Sequence, residues 1–400
     1  MRRSWVQACG HCRILSLWKL PGTKMSATAV ERVTCLDGMR GLAALWVLVG
    51  HTMLLTGFRV PILGQPELGV DLFILLSGYL MTYQYLARRQ REDWSRGRTW
   101  MEFWTRRFFR LSPLYFVLLF VALACGGALY EDRALIDQAL DRNMQMPERY
   151  TDFSVSNVFL HLTYLFALIP EYAFRTPLPD WSLGLEMQFY AVFPFLALLG
   201  ARWGWLRMVC LSTLVGFLAV LALKIFSIRF PLPSFLPLKL HFFLAGMLIA
   251  LGSRRWLFLA VALILASAPY GGAVSFTHIL AREVVVFIFF ILVSFQNSTP
   301  ISHFSALLGS KAFFWLGELS YGAYLIHLLI LHPVASYVIE TNGVGQAAST
   351  RFLIVFPVVM VLTYMLAAVG LHLLERPGQN LGRTVIQAFR AKSVVPTTAS

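Results

Sequence analysis

Apolar residues run along this chain in blocks of about twenty, and the polar residues gather between the blocks. A helix of that length rises roughly 30 Å, the thickness of a hydrocarbon core, and in lipid a helix satisfies its own backbone. LYFVLLFVALACGGAL, VVVFIFFILVSF and FLIVFPVVMVLTYMLAAVGLHLL, taken with their flanks, reach this length. About ten spans follow, near 36–57, 69–87, 109–129, 182–200, 208–226, 238–252, 256–270, 278–296, 313–338 and 351–374. An eleventh piece, VFLHLTYLFALI, is short for a crossing and reads as re-entrant or interfacial. The expected fold is all-α: a polytopic membrane protein with about ten transmembrane helices.

Charge orients these spans. The connection holding Arg88, Arg89, Arg91, Arg96, Arg98, Arg106 and Arg107 is strongly basic and is expected in the cytoplasm. The loop with Glu131, Asp132, Asp137, Asp141, Glu148 and Asp152 leans acidic and is expected outside. If 158–169 does not cross, Arg202, Arg207, Arg254, Arg255, Arg376, Arg383 and Arg390 all fall inside, so both termini are expected to be cytoplasmic. The setting is a multi-pass cell membrane protein, with the bacterial inner membrane as the expected location.

Composition agrees, with 58% hydrophobic and only 14% charged residues where a soluble domain carries about a quarter charged. The net charge of +14 lies largely in short loops, which argues for membrane orientation and against nucleic-acid binding. Residues 1–33 form a basic extension with no long apolar stretch ahead of a small-residue cleavage site, so no cleaved secretory signal is expected. Met25 is an alternative start within it. Cys9 and Cys12 spell CGHC, a dithiol pattern lacking the βαβ context that redox chemistry requires. The NST at 297–299 would face the cytoplasm and is discounted as a glycosylation site. Residues 34–377 read as one membrane domain and 378–400 as a cytoplasmic tail; no Walker loop, HExxH or GxSxG is visible.

Within DGMRGLAALWVLVGH, Arg40 and His51 stand eleven residues apart, within about 20° of one helix face and roughly 16 Å along it. Asp37 can pair with Arg40 three residues on. An imidazole inside an apolar span is costly enough to suggest chemistry, although His51 filling a polar gap between helices is the bland alternative. Arg107 and Arg110 share a face at the expected cytoplasmic mouth of the third span, where guanidinium forks suit phosphate oxygens and also serve as ordinary anchors. Pro113 is read as lying near that helix's start. Asp71 can cap its helix or orient His51; Glu186, about one turn into its span, wants a partner. Trp181 and Tyr190 are candidates for sugar stacking or for the interfacial aromatic belt. Glu318, His327 and His332 read as packing groups, and the five-residue step between the histidines argues against a metal site. Arg282 pairs with Glu283 or with another helix.

Taken in order, LDGMRGLAALWVLVGH, GVDLFILLSGYL, RRFFRLSPLYF, WSLGLEMQFYAVFPFL and LGELSYGAYLIH resemble the motif set of the type-3 membrane acyltransferases over residues 34–377. That resemblance implies about ten helices and transfer of an acyl group, often acetyl, from acyl-coenzyme A to a hydroxyl. The implied acceptor is a carbohydrate such as a surface or exported polysaccharide, with a small molecule such as a macrolide as the nearer alternative. No bound cofactor or metal is implied. Arg40 and His51 match the family's arginine-to-histidine signature, and Arg107 and Arg110 its arginine pair. Some relatives carry an extra domain after the last helix; none is read here, so such a partner is expected to be a separate protein. His51 is then the expected base toward the acceptor hydroxyl, with Asp71 or Glu186 holding its ring. Arg107 and Arg110 would grip coenzyme A phosphates, Arg40 would lie near the pantetheine path or the reacting carbonyl, and an acyl-His51 intermediate is the rival route. A transporter with a proton-relaying histidine is the reading from a different class, and it calls for an inverted repeat that is not visible.

Overall fold

Blocks of Leu, Val, Phe and Ala wind into helices, with Pro113, Pro194, Pro333 and Pro357 accommodated inside four of them, and the described residues contain no other regular element. The computed structural model describes residues 34–252, 254–267, 275–296, 298–342 and 345–392; the CGHC motif, Met25 and Asn297 of the NST stretch lie outside them. Among the described residues, seven long helices are apolar enough to cross a membrane. They are α1 (Thr34–Thr56), α3 (Gly97–Ala124), α7 (Trp181–Trp203), α8 (Trp205–Ile225), α11 (Phe276–Ser294), α13 (Lys311–Asn342) and α14 (Ala348–Gly370). α2 (Pro66–Arg88) matches them with 23 residues but carries Glu67, Asp71 and Arg88. Between α3 and α7 lie α4 (Gly126–Ala139), the short α5 (Glu148–Thr151) and α6 (Val155–Leu162). With only 8 residues, α6 cannot cross, as expected for the 158–169 piece.

Two expected spans come out shorter. α9 (Leu240–Ile249) has 10 residues and α10 (Arg255–Ala266) has 12, which rise about 15 and 18 Å and fall short of a hydrocarbon core. Pro231, Pro233 and Pro237 hold the approach to α9 out of helix, and Arg254 sits in the left-handed region at φ 47° before α10. α9 packs against both α2 and α10 and is buried along its whole length.

α1 lies along α13, its most extensive partner. The approach is close because a Cβ at Gly317 would overlap the Asp37 carbonyl oxygen and one at Gly41 would overlap Leu316. α1 stops at Gly57, whose φ of 77° places it in the left-handed cap conformation, and Arg351 Nε donates to the Thr56 carbonyl at 3.1 Å. After α12 (Thr299–Leu308) and the α13–α14 pair, a π turn at Leu371–Glu375 leads into α15 (Arg376–Lys392). α15 crosses α3: Gly378 and Gly382 seat against Pro113 and Phe109, and Arg390 pairs with Glu102. α3 begins well before the expected 109, so Pro113 falls in the helix interior and not near its start. Large apolar side chains on α8 and α14, among them Phe217, Leu218, Leu353 and Met365, face outward, as a lipid solvent permits.

Candidate active site

His51, in the last turns of α1, meets His327 of α13. His327 Nδ1 lies 2.6 Å from the Tyr324 carbonyl oxygen, which only accepts, so Nδ1 carries the proton. In the neutral ring Nε2 of His327 then holds a lone pair, and His51 Nδ1 donates to it at 2.9 Å. His51 Nε2 is left unprotonated. The two rings stack at 5.0 Å between centroids. Tyr324 extends the support: its hydroxyl donates to the Pro179 carbonyl at 2.8 Å and lies 2.7 Å from Ser182 Oγ, tying α13 to the start of α7.

Neither carboxylate expected to hold His51 does so. Asp71 is buried in an ion triad with Lys239, just before α9, and with Arg282 Nε at 2.9 Å on α11. Arg282 thus takes the other-helix option, and Lys239, not singled out from the sequence, supplies the second cation. Glu186 accepts from Ser77 Oγ at 2.8 Å and from the Tyr190 hydroxyl, linking α2 to α7. A charged pair needs partners in lipid, and each carboxylate finds nearer ones on helices the primary sequence does not reveal as neighbours.

At the other end of α1, Arg40 lies within electrostatic reach of Arg110, Glu186, Tyr190 and Asp37. Arg107 donates to Gln84 Oε1 at 2.6 Å and lies over the rings of Phe103 and Tyr190, at 5.5 and 5.4 Å from their centroids. It is buried, not set in an open mouth, and its Nε has no acceptor. Glu375, at the end of the π turn, joins the group through Arg110 and Arg40 and keeps an unsatisfied Oε1. Arg40, Arg107 and Arg110 therefore gather with three carboxylates, Asp37, Glu186 and Glu375, in one charged cluster. Trp181 is buried at the first turn of α7, about 13 Å along the helix from Tyr190, so the two do not frame one sugar.

At the His51 end, the α4–α6 segment adds Arg133 and Arg149, both within electrostatic reach of His51. Arg133 Nε pairs with Asp137 at 2.8 Å. Burial pushes the Arg149 guanidinium down to about 10, which leaves it charged at neutral pH. His332 bonds its own helix through Nδ1 and the Leu328 carbonyl at 2.6 Å, a packing role of the kind expected for it. Among the described residues no group of His, Cys, Asp and Glu has the arrangement of a metal site.

The described helices thus hold a histidine pair between α1 and α13, with cations gathered at either end of α1. Sequence comparison supplies the class of protein. The family described as "Acyltransferase domain" matches residues 33–368, and the chain belongs to it. It is 24% identical to the peptidoglycan O-acetyltransferase OatA of Listeria monocytogenes over 379 residues, covering 86% of this chain and 55% of that protein. A putative membrane-bound transacylase, BcsY of Komagataeibacter xylinus, is 34% identical over 170 residues, covering 41% of this chain and 37% of BcsY. The O-acetyltransferase OatA of Staphylococcus aureus is 29% identical over 162 residues, covering 40% of this chain and 24% of that protein. The chain thus spans about half or less of the relatives it matches. No solved structure matches it.

Proposed function

We propose that this acyltransferase moves an acetyl group from acetyl-coenzyme A, arriving at the Arg40 end, to a carbohydrate hydroxyl at the His51 end. The observation that carries the reading is the lone pair on His51 Nε2, held in place by the His327 hydrogen bond. In this mechanism Nε2 takes the proton of the acceptor hydroxyl as its oxygen attacks the thioester carbonyl. The imidazolium keeps its Nδ1–H directed at His327 Nε2, a hydrogen bond that strengthens as charge develops. The tetrahedral oxyanion collapses, the C–S bond breaks, and His51 returns the proton to the departing thiolate. Arg40, Arg107 and Arg110 suit the phosphates of the donor, and the buried, unsatisfied Arg107 Nε is consistent with an anion between them. The Arg40 end is read as cytoplasmic and the His51 end as external, following the charge asymmetry of the loops. The names of the relatives, which specify peptidoglycan in one case, favour a cell-envelope glycan as acceptor.

The test uses membranes from cells expressing the protein, supplied with acetyl-labelled acetyl-coenzyme A. Label entering the glycan fraction with wild type and absent with His51→Ala at matched expression is the expected result. Label in the glycan unaffected by His51→Ala would remove the proposed base. Label confined to a small-molecule fraction would overturn the carbohydrate assignment, and substrate movement without any label transfer would favour the transporter.

A further inference from the structure

Arg149 is built into the protein as a fixed cation without a carboxylate of its own. Its Nε donates to the Thr176 carbonyl at 3.4 Å and its Nη1 to Gln145 Oε1 at 3.2 Å, both neutral acceptors. The guanidinium lies 3.6 Å from the Phe174 ring centroid and 5.3 Å from that of Tyr150. Only 9% of the residue is exposed, and among the described residues no carboxylate pairs with it. The two acids within electrostatic reach are engaged elsewhere. Asp137 takes Arg133, and Asp180 accepts from Thr176 Oγ1 at 2.8 Å and from the Tyr115 hydroxyl at 3.1 Å. Among the described residues no hydrogen bond engages Nη2, and the adjacent Tyr150 ring packs edge-on against His332 of α13 at 6.0 Å between centroids, five residues beyond His327. A permanently charged, buried group with neutral clamps and one unused edge is suited to an anion that arrives with a ligand.

We infer that Arg149 binds an anionic substituent of the acceptor, a carboxylate or phosphate carried close to the hydroxyl that receives the acyl group. This rests on the reading of His51 as the base facing the acceptor. The donor's own anions are accounted for at the opposite end of α1, where Arg40, Arg107 and Arg110 gather, so the Arg149 end serves the other substrate. Arg133, neutralised by Asp137, does not compete for the same role.

The test is direct binding to the full-length protein in lipid nanodiscs without donor, followed by saturation-transfer NMR. The probes are methyl β-glucoside, its uronate methyl β-glucuronide, and glucose 1-phosphate. The wild type is expected to bind at least one anionic probe about tenfold more tightly than the neutral one, with the preference shrinking as salt rises. The uronate and phosphate arms tell a carboxylate from a phosphate. Arg149→Gln should reduce the preference to within about twofold, and Arg149→Lys should retain part of it. Gln145→Glu provides a second route, because it gives Arg149 Nη1 a carboxylate partner while leaving the guanidinium in place, and should erase the preference too. Equal binding of the three probes by wild type, or a preference that survives both Arg149→Gln and Gln145→Glu, would overturn the inference. Because no donor is present, this outcome is separate from acyl transfer, which stands or falls on His51→Ala.

Discussion

His51 and His327 divide one task between two rings. In the proposed mechanism the first offers its lone pair to the acceptor hydroxyl, and the second sets which nitrogen carries it. Removing the base in His51→Ala is expected to lower kcat by about 10²–10⁴-fold. His327 is a positioning residue, and its variants should separate by hydrogen-bonding capacity more than by size. His327→Ala leaves His51 Nδ1–H without an acceptor and should lower kcat by roughly 10-fold or more with little change in donor KM. His327→Gln presents Oε1 to the same proton and should recover part of the loss. Steady-state kinetics on the two variants decide it: equal, complete retention of kcat in both would remove His327 from the mechanism. His51 was legible in the sequence because an ionisable group inside an apolar run is a local anomaly. His327 was not, since its partner lies 276 residues away and a histidine bonded to a carbonyl three residues back resembles a packing residue. The same blindness explains Asp71 and Glu186. Their charge was visible, but Lys239, Arg282 and Ser77 become their neighbours only when α9, α11 and α2 have packed.

Helix against helix, the dyad depends on how closely α1 can lie on α13. Gly317 sets that distance, because any side-chain carbon there would meet the backbone of Asp37. Gly317→Ala should force the helices apart, cost about 1–3 kcal/mol of stability and lengthen the His51–His327 hydrogen bond. Thermal unfolding in detergent together with kcat checks both effects; activity and midpoint equal to wild type would show that the contact yields without consequence. Gly127 in α4 is the control, with open space where its Cβ would stand, and Gly127→Ala is expected to be neutral or slightly stabilising. The long apolar helices were readable from their runs, while helix length was not, and neither α4 in the acidic loop nor the polar α15 in the tail carries an apolar run that would reveal it. Apolarity at 238–252 and 256–270 reports burial as readily as membrane crossing, and α9 is buried by protein along its length. Pro113 likewise looked terminal only because the polar first turns of α3 do not resemble a span.

For the molecule as a whole, loop charge sets the orientation expected in the membrane. A variant with its native cysteines replaced by serine, carrying either Gln145→Cys or Ala391→Cys, tests it with a membrane-impermeant maleimide. Gln145→Cys should label in intact cells and Ala391→Cys only after permeabilisation; the reverse pattern would invert the bundle. With α2 counted as a crossing beside the seven, eight remain of the ten expected, and losing α9 and α10 as a pair keeps the parity on which this expectation rests. The hydrogen bond between His51 and His327 also has a consequence for how the protein is made. The ribosome adds the second ring 276 residues after the first, on the order of 15–55 s later at bacterial elongation speeds. Throughout that interval α1 already sits in the bilayer with a histidine whose tautomer nothing fixes. Under the proposed mechanism a nascent or truncated chain would lack the oriented base, and the growing polypeptide would spend no thioester until its penultimate long helix has been threaded into place.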